Sequence, residues 1–196
     1  MKQKGFTLVE TLIAILILTV SVGALLSLTT SGFYSIRYSK NQIVANFLMQ
    51  ESLEYIRNTR DTASQQGKSW DEWRNLFYVD SDGKKTGSPS DGCFSENTCY
   101  IDTISNDKNI RMCEGSIDNC QKLSYYPEHY IYAYSNVDHL LPLSEFYDTN
   151  FTRSIKMKNG EIGEDHVIVN VTISWMNGTN YRSISQSMLL TRWNQK

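Results

Sequence analysis

A long apolar run near the amino terminus constrains this chain more than any other feature. From Phe6 to Leu28 the sequence has 23 residues and a single ionisable side chain, Glu10. At about 1.5 Å per residue in an α-helix, the run spans roughly 34 Å, enough to cross the apolar part of a bilayer. The run therefore predicts a membrane-spanning helix. Glu10 needs a compensating partner there, because a carboxylate held toward a bilayer is costly.

The residues around this run predict its orientation. Lys2 and Lys4 precede it, and positive charge tends to stay on the cytoplasmic side, so we expect the rest of the chain on the outer side of the membrane. A cleavable secretory signal has a shorter apolar core followed by a small-residue cleavage site. No such site lies between Leu25 and Arg37. We therefore expect the helix to be kept as a single-pass anchor of the cytoplasmic (inner) membrane, N-in and C-out.

The residues at the start of the run resemble a known signal. The stretch Gly5-Phe6-Thr7-Leu8-Val9-Glu10 is similar to the class III signal of type IV prepilins and of type II secretion pseudopilins. The resemblance implies that a prepilin peptidase cuts between Gly5 and Phe6 and methylates the new amino terminus at Phe6. It also implies that Glu10 pairs with the amino terminus of a neighbouring subunit during filament assembly. An α-amine is largely cationic at neutral pH, and an ion pair is stronger in a low dielectric than in water.

The resemblance covers about the first 30 residues. It implies which partners the chain meets and how the chain is divided into regions. The partners are membrane lipid before assembly, the prepilin peptidase, an inner-membrane assembly platform and other pilins in a helical filament. The expected regions are a leader at 1–5, a transmembrane and assembly half-helix at 6–33, and an exported globular domain at 34–196. We divide that domain into a second half-helix (34–58), a connecting loop (59–92) and a disulfide region with a sheet (93–196). The alternative to the resemblance is a plain signal anchor in which Glu10 extends to the lipid headgroups.

The charge balance bears on the class of ligand. The formal charge is −2, and loss of Lys2 and Lys4 with the leader leaves 17 basic against 21 acidic residues, a charge of −4. Binding to nucleic acid needs clustered Lys and Arg. The densest basic groups, Lys84-Lys85 and the pair Lys156 and Lys158, are interpreted as solvated turn and strand residues. Nucleic acid is therefore not the expected main ligand.

Four cysteines lie within 28 residues on the predicted outer side, where oxidation is permitted: Cys93, Cys99, Cys113 and Cys120. We predict two disulfides, with local pairing (93 with 99, 113 with 120) favoured. The alternative is a hairpin turning around Asn106 that sets Cys99 opposite Cys113 and leaves Cys93 to meet Cys120. A zinc site is the less favoured reading, because the spacings lack a short C-x2-4-C pair.

Beyond Leu28 the apolar pattern predicts that the helix continues to about Asn58, roughly 80 Å in all. Apolar residues keep three-to-four-residue spacing on one face at Ile36, Ile43, Val44, Phe47, Leu48, Tyr55 and Ile56. This stripe should dock on a sheet, because a coiled-coil stalk would need sustained heptads that the segment lacks. Gly23 and Gly32 are the places where we expect bending when subunits pack.

The connecting loop carries two local signals. Ser69 and Glu72 fit a capping box, which predicts a short helix whose Trp70, Trp73, Leu76 and Phe77 cover the sheet. The stretch Asp80-Ser81-Asp82-Gly83 is similar to the start of a calcium loop. Its twelfth position holds Asp91 rather than glutamate, so we interpret it as a polar turn.

Strand patterns dominate the last third of the chain. Alternation is clear at 151–158 and at 167–175. Asn177-Gly178 predicts a two-residue type I′ hairpin that pairs Met176 with Thr179, Val171 with Ile184 and Val167 with Met188. Tyr130, Tyr132 and Tyr134 suggest a further strand, and 99–104 a weaker one. The expected fold class is α+β: one long helix packed on a four- to five-stranded antiparallel sheet, as in type IV pilins.

No pattern typical of an enzyme was found. We expect His129, His139 and His166 on a strand, a loop and a strand start, and they lack the HxH or HxxxH spacing of metal ligands. We expect neither a cofactor nor a metal. The predicted function is that of a non-enzymatic minor pilin of a type IV pilus. The alternatives are a type II secretion pseudopilin, a DNA-binding competence pilin and a bitopic receptor.

Overall fold

The computed structural model describes residues 5, 7–88, 90–94, 98–105, 110–113, 119–135, 145–160 and 165–193. Five residues used in the sequence predictions, namely Lys2, Lys4, Phe6, Asn106 and His139, lie outside the described residues. By its internal contacts the chain divides into two compact units, Met1–Gln42 and Ile43–Lys196, and the dividing point lies within the long helix.

The long helix, α1, is continuous from Leu8 to Gln65 and confirms the prediction of one uninterrupted helix. It ends seven residues beyond the predicted Asn58, because no proline or glycine occurs between Asn58 and Gly67. Gly67 has φ +70°, and two bonds close the terminus: Lys68 N–H to Ala63 C=O (3.0 Å) and Gly67 N–H to Ser64 C=O (3.1 Å). This is a Schellman ending, in which the left-handed residue is usually glycine.

A short helix, α2, follows at Trp70–Arg74 with the predicted capping box. The Ser69 hydroxyl accepts from the Glu72 N–H, and the Glu72 carboxylate accepts from the Ser69 N–H. Trp70, Trp73 and Phe77 are buried, and Leu76 is half-buried. The predicted covering role is confirmed for this short helix, and 3₁₀ turns follow at Asn75–Phe77 and Gly92–Phe94.

The stretch Asp80-Ser81-Asp82-Gly83 forms the predicted polar turn. Asp80 Oδ1 accepts hydrogen bonds from the backbone N–H groups of Asp82 (3.0 Å) and Lys84 (2.8 Å). The carboxylate therefore stabilises its own turn, as aspartates at turn starts commonly do.

The sheet is antiparallel and has seven described strands rather than four or five. They are β1 (Thr98–Ile101), β2 (Ile110–Cys113), β3 (Lys122–Tyr126), β4 (Ile131–Ala133), β5 (Tyr147–Asn159), β6 (His166–Asn177) and β7 (Asn180–Thr191). β2 and β4 have four and three residues, too few for alternation to show in the sequence. Of the three tyrosines predicted on one strand, only Tyr132 lies in β4. Tyr130 belongs to the preceding turn at φ +57°.

Strand β5 is the centre of the sheet. β6 pairs along one edge from Thr152 to Asn159, and β1 and β3 follow one another along the opposite edge. The alternation predicted for β5 is correct, but its small polar residues Thr152 and Ser154 are buried rather than exposed. Short side chains on a strand with neighbours at both edges are shielded by those neighbours.

The β6–β7 hairpin forms, but the predicted register is wrong by two residues. Asn177 pairs with Asn180, so that Gly178 and Thr179 form the loop and Val171 faces Gln186 rather than Ile184. Gly178 has φ +65°, whereas Asn177 and Thr179 do not have positive φ. Positive φ at the first loop position alone is the type II′ pattern, which requires glycine there. A slip of two keeps every side chain on its predicted face.

The core of the unit Ile43–Lys196 lies between the second half of α1 and one face of the sheet. The helix residues buried there are Ala45, Leu48, Met49, Ser52, Leu53, Ile56 and Ala63. Leu48 and Ile56 of the predicted stripe belong to this face. The prediction is wrong for three others, since Ile36, Ile43 and Phe47 are exposed at 65, 56 and 67%. The prediction followed the largest apolar residues. The observed face instead includes the small residues Ala45 and Ser52, which let a helix approach the sheet closely.

Candidate functional site

The amino-terminal segment places Glu10 in the first turn of α1. The Thr7 hydroxyl accepts a hydrogen bond from the Glu10 N–H at 3.3 Å, and the Thr7 carbonyl accepts from the N–H groups of Glu10 (3.1 Å) and Thr11 (3.3 Å). Thr7 therefore caps the helix. The first turn is also where the helix dipole favours a negative charge, so the position suits an ionised glutamate.

The first half of α1 is apolar on all sides. Its large side chains are all exposed within the single chain, from Leu8 at 76% to Leu28 at 70%. A helix that is apolar all round is stable only in an apolar environment, either a bilayer or a packed group of helices. Among the described helices, α1 is the one long and apolar enough to cross a membrane.

Five hydroxyl groups of this half-helix are satisfied within it. Thr11, Thr19, Ser21, Thr29 and Thr30 each donate to a backbone carbonyl three or four residues earlier, at 2.7 to 3.2 Å. An unsatisfied hydroxyl is costly in a medium without water, and these bonds remove that cost. Glu10 is then the one ionisable side chain of the run that needs a partner from elsewhere.

The second half of α1 joins the sheet through a buried arginine. Arg153 on β5 is fully buried, and one of its guanidinium nitrogens donates to the Ser52 hydroxyl at 3.0 Å. The same nitrogen lies 3.8 Å from a Glu51 carboxylate oxygen, and the other oxygen of that carboxylate accepts from the Thr103 hydroxyl. The alternation at 151–158 puts Arg153 on the same face as Phe151 and Ile155, but no role is predicted for it. An arginine at a core-facing position was the available signal.

A second buried polar group, Asp102, lies beside this contact. Its two carboxylate oxygens accept from the backbone N–H groups of Ile104 (2.9 Å) and Tyr134 (3.0 Å). Burial raises the pKa of the Tyr134 phenol well above its usual value, although the nearby Arg153 acts in the opposite direction. Burial, with a smaller contribution from the charge of Asp102, also raises the pKa of Tyr55 on the helix. No local pattern in the sequence pointed to Asp102.

An open groove of about 1080 Å³ runs beside the same contact. The helix lines it with Phe47, Glu51 and Tyr55, and the β3–β4 turn region with Tyr130 and Tyr132. The lining mixes aromatic rings with carboxylates that have basic or hydroxyl partners, such as Glu54 with Arg57 and Glu51 with Thr103. The groove can receive an apolar or aromatic side chain.

Both disulfides are local. Cys93 bonds to Cys99 and Cys113 to Cys120, with Cα–Cα distances of 5.0 and 4.8 Å. β1 and β2 do form a hairpin, but Cys99 lies opposite Met112, and Cys113 lies opposite Thr98. Neighbouring residues of a strand point to opposite faces, so this register keeps Cys99 and Cys113 apart. Each sulfur is taken by a disulfide, and none remains as a thiolate for zinc.

The described histidines do not converge. His129 lies in the turn between β3 and β4 rather than on a strand, and His166 begins β6 as predicted. Within the described ranges, no three His, Cys, Asp or Glu side chains are grouped so that they could hold a metal ion.

Comparison with known proteins identifies the amino-terminal segment. Residues 1–26 match the family model of the prokaryotic N-terminal methylation motif. A search of curated proteins and a search of solved structures each found no match. The matched residues include the leader, Gly5, Phe6 and Glu10, and they end inside the apolar half of α1. The chain therefore carries the prepilin-type signal of type IV pilins and pseudopilins, at the head of a long apolar helix and an α+β fold consistent with that of pilins.

Proposed function

We propose that this chain is a structural subunit of a pilus-like filament, and specifically a minor pilin of a type IV pilus. The observation that carries the proposal is the first half of α1: a helix apolar on every side, with one carboxylate in its first turn, directly after the matched methylation motif. Such a helix suits a subunit that waits in a bilayer and then packs among other helices.

The proposed processing gives Glu10 its partner. Cleavage between Gly5 and Phe6 makes Glu10 the fifth residue of the processed chain, and N-methylation leaves the new terminus an amine. Within one helix that amine and Glu10 are separated by about one turn. In a filament, the amine of one subunit pairs with Glu10 of the next, in a low dielectric that strengthens the attraction. The pair then sets how far neighbouring subunits are displaced along the filament.

The transfer from bilayer to filament exchanges one apolar environment for another. Association of such helices is driven by close packing and by polar pairs rather than by removal from water. Because polar pairs contribute to this association, the ion pair of Glu10 should contribute strongly to filament assembly.

The proposed role of the exported unit is to present a surface on the filament, without catalysis. Its two disulfides suit the oxidising outer compartment, and its buried Arg153 contact holds the second half of α1 on the sheet. Prepilin peptidase, the assembly platform of the inner membrane and other pilins are the proposed partners.

The decisive experiment is the intact mass and amino-terminal sequence of the chain from native membranes. Processing gives a chain that starts at N-methylated Phe6. A strain without prepilin peptidase is the control, and there the chain should keep Met1 to Gly5. Retention of the leader in a strain with active peptidase would return the chain to a plain signal anchor and overturn the proposal.

A second experiment separates the pilus from the secretion pseudopilus, which shares the same signal. Deletion of the gene should reduce surface filaments or a behaviour that depends on them, and the intact gene should restore it. Normal filaments together with retention of secreted proteins in the periplasm would assign the chain to type II secretion instead.

A further inference from the structure

The described sheet ends in three strands that are paired on one side only, and they differ greatly in length. β2 and β4 have four and three residues, whereas β7 has twelve. Proteins commonly limit an exposed sheet edge by making it short, or by placing proline, lysine or a bulge on it. β7 has none of these, and its pairing with β6 continues over all twelve residues without a shift.

The hairpin geometry decides which backbone groups of β7 face away from β6. The two-residue loop is closed by Asn177 and Asn180, and such a closing pair exchanges both hydrogen bonds. Even-numbered residues of β7 therefore bond to β6, and the same alternation continues in the bond from the Arg192 N–H to the Asp165 carbonyl at 2.7 Å. The N–H and C=O groups of Tyr181, Ser183, Ser185, Ser187, Leu189 and Thr191 consequently point outward from the sheet.

The side chains at this edge are exposed and nearly uncharged. Tyr181 and Leu189 are exposed at 51 and 58%, and between them lie three serines on the same face, at 183, 185 and 187. The one charged residue within β7 is Arg182. The neighbours of the two apolar residues on β6, Met176 and Ile168, are each 40% exposed. The edge thus presents an apolar site at each end of a serine row.

We propose that β7 pairs with β7 of a second copy of this chain, antiparallel and about a two-fold axis at Ser185. The outward residues of one copy then meet those of the other. Tyr181 lies opposite Leu189 of the partner subunit, and Ser183 opposite Ser187 of the partner subunit. At each end of the contact, an exposed apolar site of one copy covers an exposed apolar site of the other. The outward backbone groups of both edges then have hydrogen-bond partners.

The charge pattern agrees with this register. Arg182 lies opposite Met188 of the partner subunit, so the two arginines are kept at opposite ends. A shift of two residues in each strand would bring Arg182 opposite Arg192 of the partner subunit, and like charges directly opposite one another are destabilising. The edge is therefore complementary to itself in the register centred on Ser185.

A two-fold contact closes on itself and does not propagate. It links two subunits side by side, in the membrane or on adjacent filaments, and is distinct from the helix packing that builds a filament. The inference rests on the sheet and does not depend on the proposed function.

The test is cysteine cross-linking of the full chain in membranes under mild oxidation. In the proposed register, Ser185→Cys meets its own copy with a Cα–Cα distance of about 5.5 Å, within the range for a disulfide. Thr172→Cys is the matched control, because Thr172 lies beside Ser185 on the same face but one strand further from the axis. The expected result is a covalent homodimer of S185C and none of T172C.

A second substitution in the S185C background separates strand pairing from chance collision. Ser187→Pro removes an outward N–H and leaves the bonds to β6 intact, so the sheet should fold while the cross-link is lost; Ser187→Ala should retain it. Formation of the two native disulfides in each variant shows that it has folded. Equal dimer from S185C and T172C, a dimer that S187P does not reduce, a chain that stays monomeric, or a cross-link to a different protein would each overturn the proposal.

Discussion

Arg153 in the central strand donates a 3.0 Å hydrogen bond to Ser52 on the long helix, and both side chains are fully buried. The nearest carboxylate, Glu51, is 38% exposed and lies 3.8 Å away, so the guanidinium is only partly neutralised inside the core. A serine at this point of the helix gives both a partner and the room for the arginine. The contact therefore fixes the position of the helix on the sheet more than it adds to stability.

The first prediction concerns this arginine. Arg153→Ala leaves a cavity and removes the donor to Ser52, and should lower the free energy of unfolding by about 3 kcal/mol. Arg153→Met fills similar volume without a charge to desolvate, and should be neutral within about 1 kcal/mol or stabilising. Urea unfolding of the full chain in detergent, followed by tryptophan fluorescence, measures both, since all four tryptophans lie in the unit Ile43–Lys196. Equal losses from the two variants would show that the charge itself is required.

The second prediction concerns alkaline pH. Burial raises the pKa of Tyr134 above the ordinary value of 10.0. A pKa raised in the folded state gives stability that is complete below the pKa of the unfolded chain and is lost as pH rises above it. The free energy of unfolding should therefore fall above about pH 10, by up to about 1.4 kcal/mol per pH unit for this group.

Tyr134→Phe should make that decline shallower, because it removes a phenol that must stay protonated in the fold. Tyr181→Phe, at an exposed position on β7, controls for the loss of one phenol. Unfolding curves between pH 8 and 11 measure the slope. An unchanged slope in Y134F would mean that Tyr134 ionises without cost in the folded protein.

The elements of this fold whose apolar pattern extends over many residues could be predicted. The contacts between those elements could not. The helix follows from an apolar run without proline, and β5 and β6 follow from clear alternation. The buried helix face was predicted correctly at Leu48 and Ile56 but not at Phe47, which only its size favoured. The small residues Ala45 and Ser52, which were not predicted, are buried there instead. How closely the helix approaches the sheet depends on which small residues of the two elements meet. The spacing of apolar residues along the helix does not show this.

The candidate site also has one part that could be predicted from the sequence and one part that could not. The signal around Gly5 and Glu10 is local in sequence and could be recognised from six residues. The Arg153–Ser52 contact joins residues 101 positions apart, and Asp102 meets Tyr134 across 32. Neither has a local motif, although an arginine on a core-facing strand position predicts some buried polar partner.

The third prediction tests the turn of the β6–β7 hairpin. Gly178 is at φ +65°, the first loop position of a type II′ turn, and a side chain there is strained even though no atom lies within 4 Å of the added Cβ. Gly178→Ala should cost about 1 to 2 kcal/mol. Gly32→Ala, in open space within α1, is the control and should lose nothing, because alanine favours a helix. A neutral G178A would show that residue 178 does not need positive φ, and it would contradict the type II′ turn.

The fourth prediction concerns the disulfides. The bonds close loops of six and seven residue separations, for which chain entropy predicts about 2.4 kcal/mol each. Replacing either pair by alanines should lower the free energy of unfolding by roughly that amount. Peptide mapping without reduction should join 93 to 99 and 113 to 120. A peptide that links Cys99 to Cys113 would contradict the register of β1 and β2.

The last prediction addresses Glu10, the one ionisable side chain between Phe6 and Leu28. Glu10→Gln keeps the size and hydrogen-bonding capacity but removes the charge, and it also removes the cost of holding a carboxylate in the membrane. The variant should therefore insert and be cut after Gly5 as before, yet enter filaments poorly, because the amine of the neighbouring subunit has lost its ion-pair partner. Glu10→Asp retains the charge on a shorter side chain and should recover part of the incorporation. The measurement compares the chain in sheared filaments with the processed chain left in membranes. Full incorporation of E10Q would show that packing of the apolar helices is sufficient, and the charge would then need another explanation.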